Sequence, residues 1–144
     1  MTKLRLATMI GAVTMALGAA TITPAHATTD YYQDFGGHAG VTALIDTFVA
    51  NVAADKRINF YFAHANIPAL KAALVAQVCN LEGGGCPFDM NMRTIHEHMG
   101  ITQAAFNALA EDMIRAMDTE QIPTAAQNNL LAKLAAMAPE INTK

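Results

Sequence analysis

The sequence predicts an all-α domain, and three observations predict it. Apolar residues recur at three- and four-residue spacing through most of the chain, and no segment alternates with the two-residue period of a strand. Ala, Leu and Met dominate a composition that is 53% hydrophobic and only 15% charged, which is the profile of packed helices rather than of disorder. Repeats and low-complexity linkers are absent from the sequence.

The elements follow in order. Lys3 and Arg5 precede an uncharged apolar run from Leu6 to Ala20, and Pro24-Ala25-His26-Ala27 ends in a small-x-small cleavage pattern. Residues 1–27 are therefore expected to be a signal peptide, and residues 28–144 a single domain of 117 residues with a modest core. That domain carries 7 basic against 12 acidic residues, a net charge of −5. It has no basic stripe for nucleic acid. It also has no run near the ~18 apolar residues of a membrane span. The expected product is an exported protein, periplasmic or secreted.

Tyr31 to Phe35 reads as a short helical piece that Gly36-Gly37 turns sharply into an amphipathic helix. The stripe of that helix is Val41, Leu44, Ile45, Phe48 and Val52, and Asp55-Lys56-Arg57 closes it. Ile58 to Ala65 is an aromatic-rich connection. Asn66 caps the next helix, Pro68 sits in its first turn, and Ile67, Leu70, Leu74 and Val78 form its stripe. The stretch from Leu81 to Asp89 is a glycine-rich loop, followed by a helix of about two turns from Asn91 to His98 that Gly100 ends. Thr102 begins a longer helix with Phe106, Leu109, Met113 and Met117 on its buried face. Thr124 and Gln127 form a capping box for the last helix, whose stripe is Leu130, Leu134, Met137 and Ile141.

Cys79 and Cys86 are the only cysteines, and Gly83-Gly84-Gly85 lies between them. In an oxidising compartment such a pair reads first as a disulfide, then as a reactive thiol pair or two metal ligands. His96 and His98 differ by roughly 200° around a helix, so they cannot bind one metal from the same face. Met92 and Ile95 place His96 on the apolar side. On these residues alone, His96 is equally a metal ligand or a satisfied core histidine.

Taken together, Gly36-Gly37, Phe60-Tyr61-Phe62, Gly83-Gly84-Gly85, Met92-Arg93-Thr94-Ile95-His96 and Met99-Gly100-Ile101-Thr102 resemble the group 1 truncated haemoglobins. The resemblance runs from Tyr31 to about Ile141. It implies a truncated globin fold, two helices over two, holding haem b. It places the proximal, iron-binding histidine on His96, with pentacoordinate iron, and an aromatic contact on Phe62. Met92 and Ile101 would flank His96, while Val49, Leu70, Leu74 and Val78 would line the gas side. Lys71 and Arg93 would pair with the propionates. The implied ligand is O2, CO or NO, and the implied role is oxygen binding and transport.

The departures from the family pattern are as specific. Many members carry a tyrosine in the second helix and a glutamine in the distal helix, at positions that here hold Val49 and Leu74. Tyr61, His64 and Gln77 are the nearby polar residues. The loop before His96 lacks a glycine between Phe88 and Met92 and is one residue shorter. An apolar gas side argues against nitric oxide dioxygenation, which needs a stable O2 complex and an electron donor. The competing reading is a small helical binding module without haem, held by its disulfide or by zinc on Cys79, Cys86, His96 and His98.

Overall fold

A computed structural model describes residues 30–144; the signal peptide expected at 1–27 lies outside the described residues. The chain forms α1 (Tyr31–Asp34), α2 (Gly37–Ala54), a 3-10 turn (Asn59–Phe62), α3 (Ile67–Leu81), α4 (Met92–His96), α5 (Gln103–Thr119) and α6 (Thr124–Ile141). There is no strand among the described residues. Helix α2 packs on α3 and α5, α5 packs on α6, and α4 rests on α6, which gives the expected two-over-two sandwich.

The predicted stripe of α2 is buried in full, from Val41 and Leu44 through Ile45 and Phe48 to Val52. Each such side chain contributes roughly 1.5–3 kcal/mol when removed from water. It meets Phe35, Ile58, Met117 and Leu130, so one core joins the two layers. Gly36 and Gly37 have φ of 79° and 62°, the left-handed conformation in which a Cβ is strained, and they turn α1 into α2. One turn later the chain passes so close to itself that a Cβ on Gly40 would clash with the Phe35 carbonyl. Gly40→Ala is therefore expected to cost about 2–3 kcal/mol, since backbone rather than a rotatable side chain must yield. A urea midpoint equal to that of the wild type would show that this approach is not tight.

Charge closes α2 as expected. Asp55 accepts from the backbone N–H of Arg57 at 2.9 Å and from its guanidinium, which reaches on to Glu111 of α5. The side-chain hydrogen bonds from Arg57 hold the Asp55 carboxyl below the usual carboxylate range. Because the folded pKa is depressed, this solvent-facing clasp is intact above the ordinary carboxylate pKa of about 4 and is lost as pH falls further.

The predicted caps of α3 and α5 are formed. Asn66 Oδ1 accepts from Ala69 N at 3.1 Å, and Thr102 Oγ1 accepts from Ala105 N at 3.1 Å. The capping box at α6 is not. Pro123 occupies the cap position, and the Gln127 amide donates to the Ile122 carbonyl at 2.9 Å and to Asp118 at 3.1 Å. The glutamine thus holds the incoming turn rather than the first helical N–H. Helix α4 is also shorter than expected. It runs for only 5 residues because Glu97 leaves the helical region and His98 turns left-handed at φ 68°, two residues before Gly100.

Cys79 and Cys86 are disulfide-bonded, with Cα atoms 5.6 Å apart. The bond joins the end of α3 to the loop that leads into α4. Beside it, Glu82 is buried and accepts from Asn129 at 2.6 Å and Lys133 at 3.2 Å, both on α6. Lys133 also donates to the Leu81 carbonyl. Such a pair adds little net stability against apolar replacements, but it fixes where α3 ends against α6. No helix among the described residues is long and apolar enough to cross a membrane.

Candidate functional site

The packing leaves a slot between the inner face of α3 and the α4–α6 pair. Leu70, Leu74, Gln77 and Val78 form one wall; Met92 and His96 face them, and Phe106, Met113, Leu134 and Met137 lie behind. The slot has a volume of about 140 Å³. It continues into a cavity of about 400 Å³ towards α2 and one of about 80 Å³ towards the start of α5. Phe62 borders all three spaces, so its ring stands at the junction.

His96 is oriented by its own helix. Its Nδ1 lies 2.7 Å from the Met92 carbonyl oxygen four residues earlier. A carbonyl can only accept, so this contact puts a proton on Nδ1, and the tautomer it selects for a neutral ring carries the Nε2 lone pair on the opposite edge. The imidazole is half-buried and borders the slot and the smaller cavity beside it. An apolar space with an aromatic ring at its junction and one oriented imidazole fits a flat metal-bearing macrocycle better than a bare ion. Among the described residues, no group of three or more His, Cys, Asp or Glu is placed to hold a metal ion.

The other expected site residues separate into those the fold brings together and those it does not. Phe62, Leu70, Leu74, Val78, Met92 and His96 meet at the slot. Ile101 is buried beside His96 and Phe62 in the adjoining small cavity. Val49 borders the 400 Å³ cavity and not the slot itself, sharing Leu70 and Leu74 with it. Lys71 is turned away. Its position directly after Leu70 rotates it about 100° to the outer side of α3, where it pairs with Asp46 of α2 at 2.8 Å. Arg93 is likewise one position past Met92, exposed and outside the slot. His98 points to solvent with its side chain 90% exposed. The disulfide takes both cysteines, which removes the four-ligand zinc arrangement.

Gln77 is the polar residue whose position was not evident from the sequence. It is buried in the slot, and its Nε2 has only thioether partners, Met92 Sδ at 3.7 Å and Met137 Sδ at 3.6 Å. Tyr61 instead donates to the Gly100 carbonyl at 3.3 Å, and His64 is exposed. Phe106, Leu109, Leu134, Met137 and Ile141 were legible only as buried stripes, yet all five border the slot.

A two-over-two helical sandwich around an apolar slot with one oriented imidazole defines a globin-type protein. Residues 30–143 match the family model described as bacterial-like globin, and the chain belongs to that family. It is 28% identical to the group 1 truncated hemoglobin GlbN of Mycolicibacterium paratuberculosis over 113 residues, 78% of this chain and 83% of the relative. Its fold matches a mutant of the truncated hemoglobin of Tetrahymena pyriformis in the Fe(III) form with a TM-score of 0.76. The identity there is 20%, and the match covers 80% of this chain and 99% of the other. The 2/2 hemoglobin of Synechococcus sp. PCC 7002, solved in the cyanomet state with covalently attached heme, gives a TM-score of 0.74 at 21% identity, covering 80% and 99% of the two chains.

Proposed function

We infer that this globin holds haem b through His96 Nε2 and reversibly binds O2 or another diatomic gas on the α3 side of the slot. The observation that carries this reading is the His96 Nδ1 contact to the Met92 carbonyl, which fixes the tautomer that a histidine needs to ligate iron. Family membership and the heme-containing relatives of the same fold support it. When bound, haem would supply the iron to which a diatomic ligand attaches, and the residues around the slot would decide how long that ligand stays. Among the described residues His96 is the histidine that borders the slot, and we read it as the sole protein ligand of the iron. A leader at residues 1–27 would place the protein in the periplasm or outside the cell, where the cysteine pair is expected to be oxidised.

The gas side is mostly apolar. Leu70, Leu74 and Val78 donate no hydrogen bond, and Val49 beside them donates none either. CO needs little such help, whereas O2 gains from a donor to its polarised outer atom, so O2 should leave quickly. This favours an oxygen carrier over nitric oxide dioxygenation. Val49→Tyr, whose longer side chain would extend from the 400 Å³ cavity towards Leu70 and Leu74, the residues that cavity shares with the slot, should slow O2 release about tenfold if its hydrogen bond contributes roughly 1.4 kcal/mol. Stopped-flow displacement of O2 by CO measures this. Slow release from the wild type that becomes fast in Gln77→Leu would show that the buried amide already donates and that the apolar reading is wrong.

A further inference from the structure

His96 sits at the end of a helix of only 5 residues, far below the length at which a helix holds itself together in water. Directly after it the chain enters a loop in which His98 and Gly100 both turn left-handed, at φ 68° and 66°. A side chain at the end of so short a helix keeps its direction only if the loop beyond it is fixed.

Ile101 is the fixed point. Its side chain is buried and shares the small cavity with His96, and both of its backbone groups are engaged by the segment that follows α6. The Ile101 N–H donates to Thr143 Oγ1 at 3.1 Å, and the Ile101 carbonyl accepts from Thr143 N at 3.0 Å and Lys144 N at 3.2 Å. Thr143 therefore grips Ile101 through its side chain and its backbone at once. Two further bonds close the arrangement on either side: the Asn142 amide donates to Gln103 Oε1 at 2.7 Å, and the Tyr61 hydroxyl donates to the Gly100 carbonyl at 3.3 Å. Ile141, the last residue of α6, borders both the slot and the small cavity, so the same stretch of chain that builds part of the wall also ties down the loop.

We infer that Thr143 is a positioning residue for His96: residues 142–144 form a strap that fixes Ile101 and, through the loop at 97–100, sets the direction of the imidazole in the slot. Thr143 itself borders neither the slot nor either cavity beside it, so it acts only through the backbone it holds. The functional consequence, tighter haem retention and a fixed pull on the iron, rests on the reading of His96 as the iron ligand. The hold on the imidazole does not, because it operates in the haem-free chain as well.

Thr143→Val keeps the shape of the side chain and removes the acceptor, which leaves the Ile101 N–H without its partner; Thr143→Ser restores the acceptor. The first measurement is nitrogen NMR of the His96 ring in haem-free protein, in a solution basic enough to keep the imidazole neutral. The wild type should show the single form with its proton on Nδ1, and the valine variant should move towards the mixture of a free imidazole. The second is made on haem-loaded, reduced protein. There the iron–histidine stretching band in the resonance Raman spectrum should shift or broaden in the valine variant, and haem transfer to a scavenging apoglobin should quicken about fivefold, the order expected for one lost hydrogen bond. Thr143→Ser should return every readout to the wild-type value, and Thr143→Ala replaces the valine variant if that one fails to fold. A wild-type band and transfer rate in the valine variant overturn the proposal whatever the ring signals show, and so does a serine variant that fails to restore them. Ring signals that change with valine and recover with serine, in a protein that gives no iron–histidine band in any form, would leave the strap standing and overturn the haem reading alone.

Discussion

His96→Ala protein should lose stable haem retention, or retain a complex that needs added imidazole, whereas His98→Ala should behave as the wild type. The two residues are neighbours in sequence and opposites in the fold. His96 borders the slot with its Nδ1 tied to the Met92 carbonyl, while His98 stands 90% exposed after the chain has turned left-handed. Alanine at 96 removes the imidazole that borders the slot and leaves a space that free imidazole can refill. The slot walls remain, so the variant should still fold, and haem absorbance during gel filtration is the measurement. Haem loss from the His98 variant with retention by the His96 variant would reverse the assignment.

Reducing the disulfide should lower stability by about 2.5 kcal/mol, the chain-entropy value for so short a loop. For a domain of this size that corresponds to a fall in Tm of about 10 °C. Haem should stay bound. The loop keeps other ties: Gly84 N donates to the Cys79 carbonyl at 2.8 Å, and Asn80 donates to the Cys86 carbonyl at 2.8 Å. Helix α4, which carries His96, rests on α6 rather than on the cysteines. Thermal melts of oxidised and reduced haem protein, each monitored by far-ultraviolet dichroism and by haem absorbance, test both halves. An unchanged Tm would mean that native strain cancels the entropic gain. Haem release on reduction would mean that the bond, and not α6, positions His96.

The helices were legible in the sequence where one face is apolar and the other is wet. That is why the stripe of α2, Met113 and Met117 of the α5 stripe, and the caps at Asn66 and Thr102 match the structure, while Phe106 and Leu109 are only half-buried and border the slot. Lys71 and Arg93 each follow a slot residue directly, so one step along a helix puts their side chains outside the slot. The misreadings have identifiable causes. The capping box at Thr124 and Gln127 fits the local pattern, but Pro123 and the Ile122 carbonyl compete for the same groups. Glu82 reads as a loop carboxylate, because its partners Asn129 and Lys133 lie 47 and 51 residues away. Gln77 reads only as one of three polar residues near the gas side, because it stands off the stripe of Ile67, Leu70, Leu74 and Val78; in the structure both Gln77 and Val78 border the slot, so the buried face of α3 is wider than one stripe.

The most direct test of the assignment is a titration of the purified residue 28–144 domain with haemin, followed by its absorption spectrum before and after reduction under CO. The account predicts saturation at about one haem per chain, an intense Soret band, and the shifted Soret of a histidine-ligated CO complex. Absorbance that rises without saturation, as free haemin does, and shows no CO-dependent shift after reduction would contradict it.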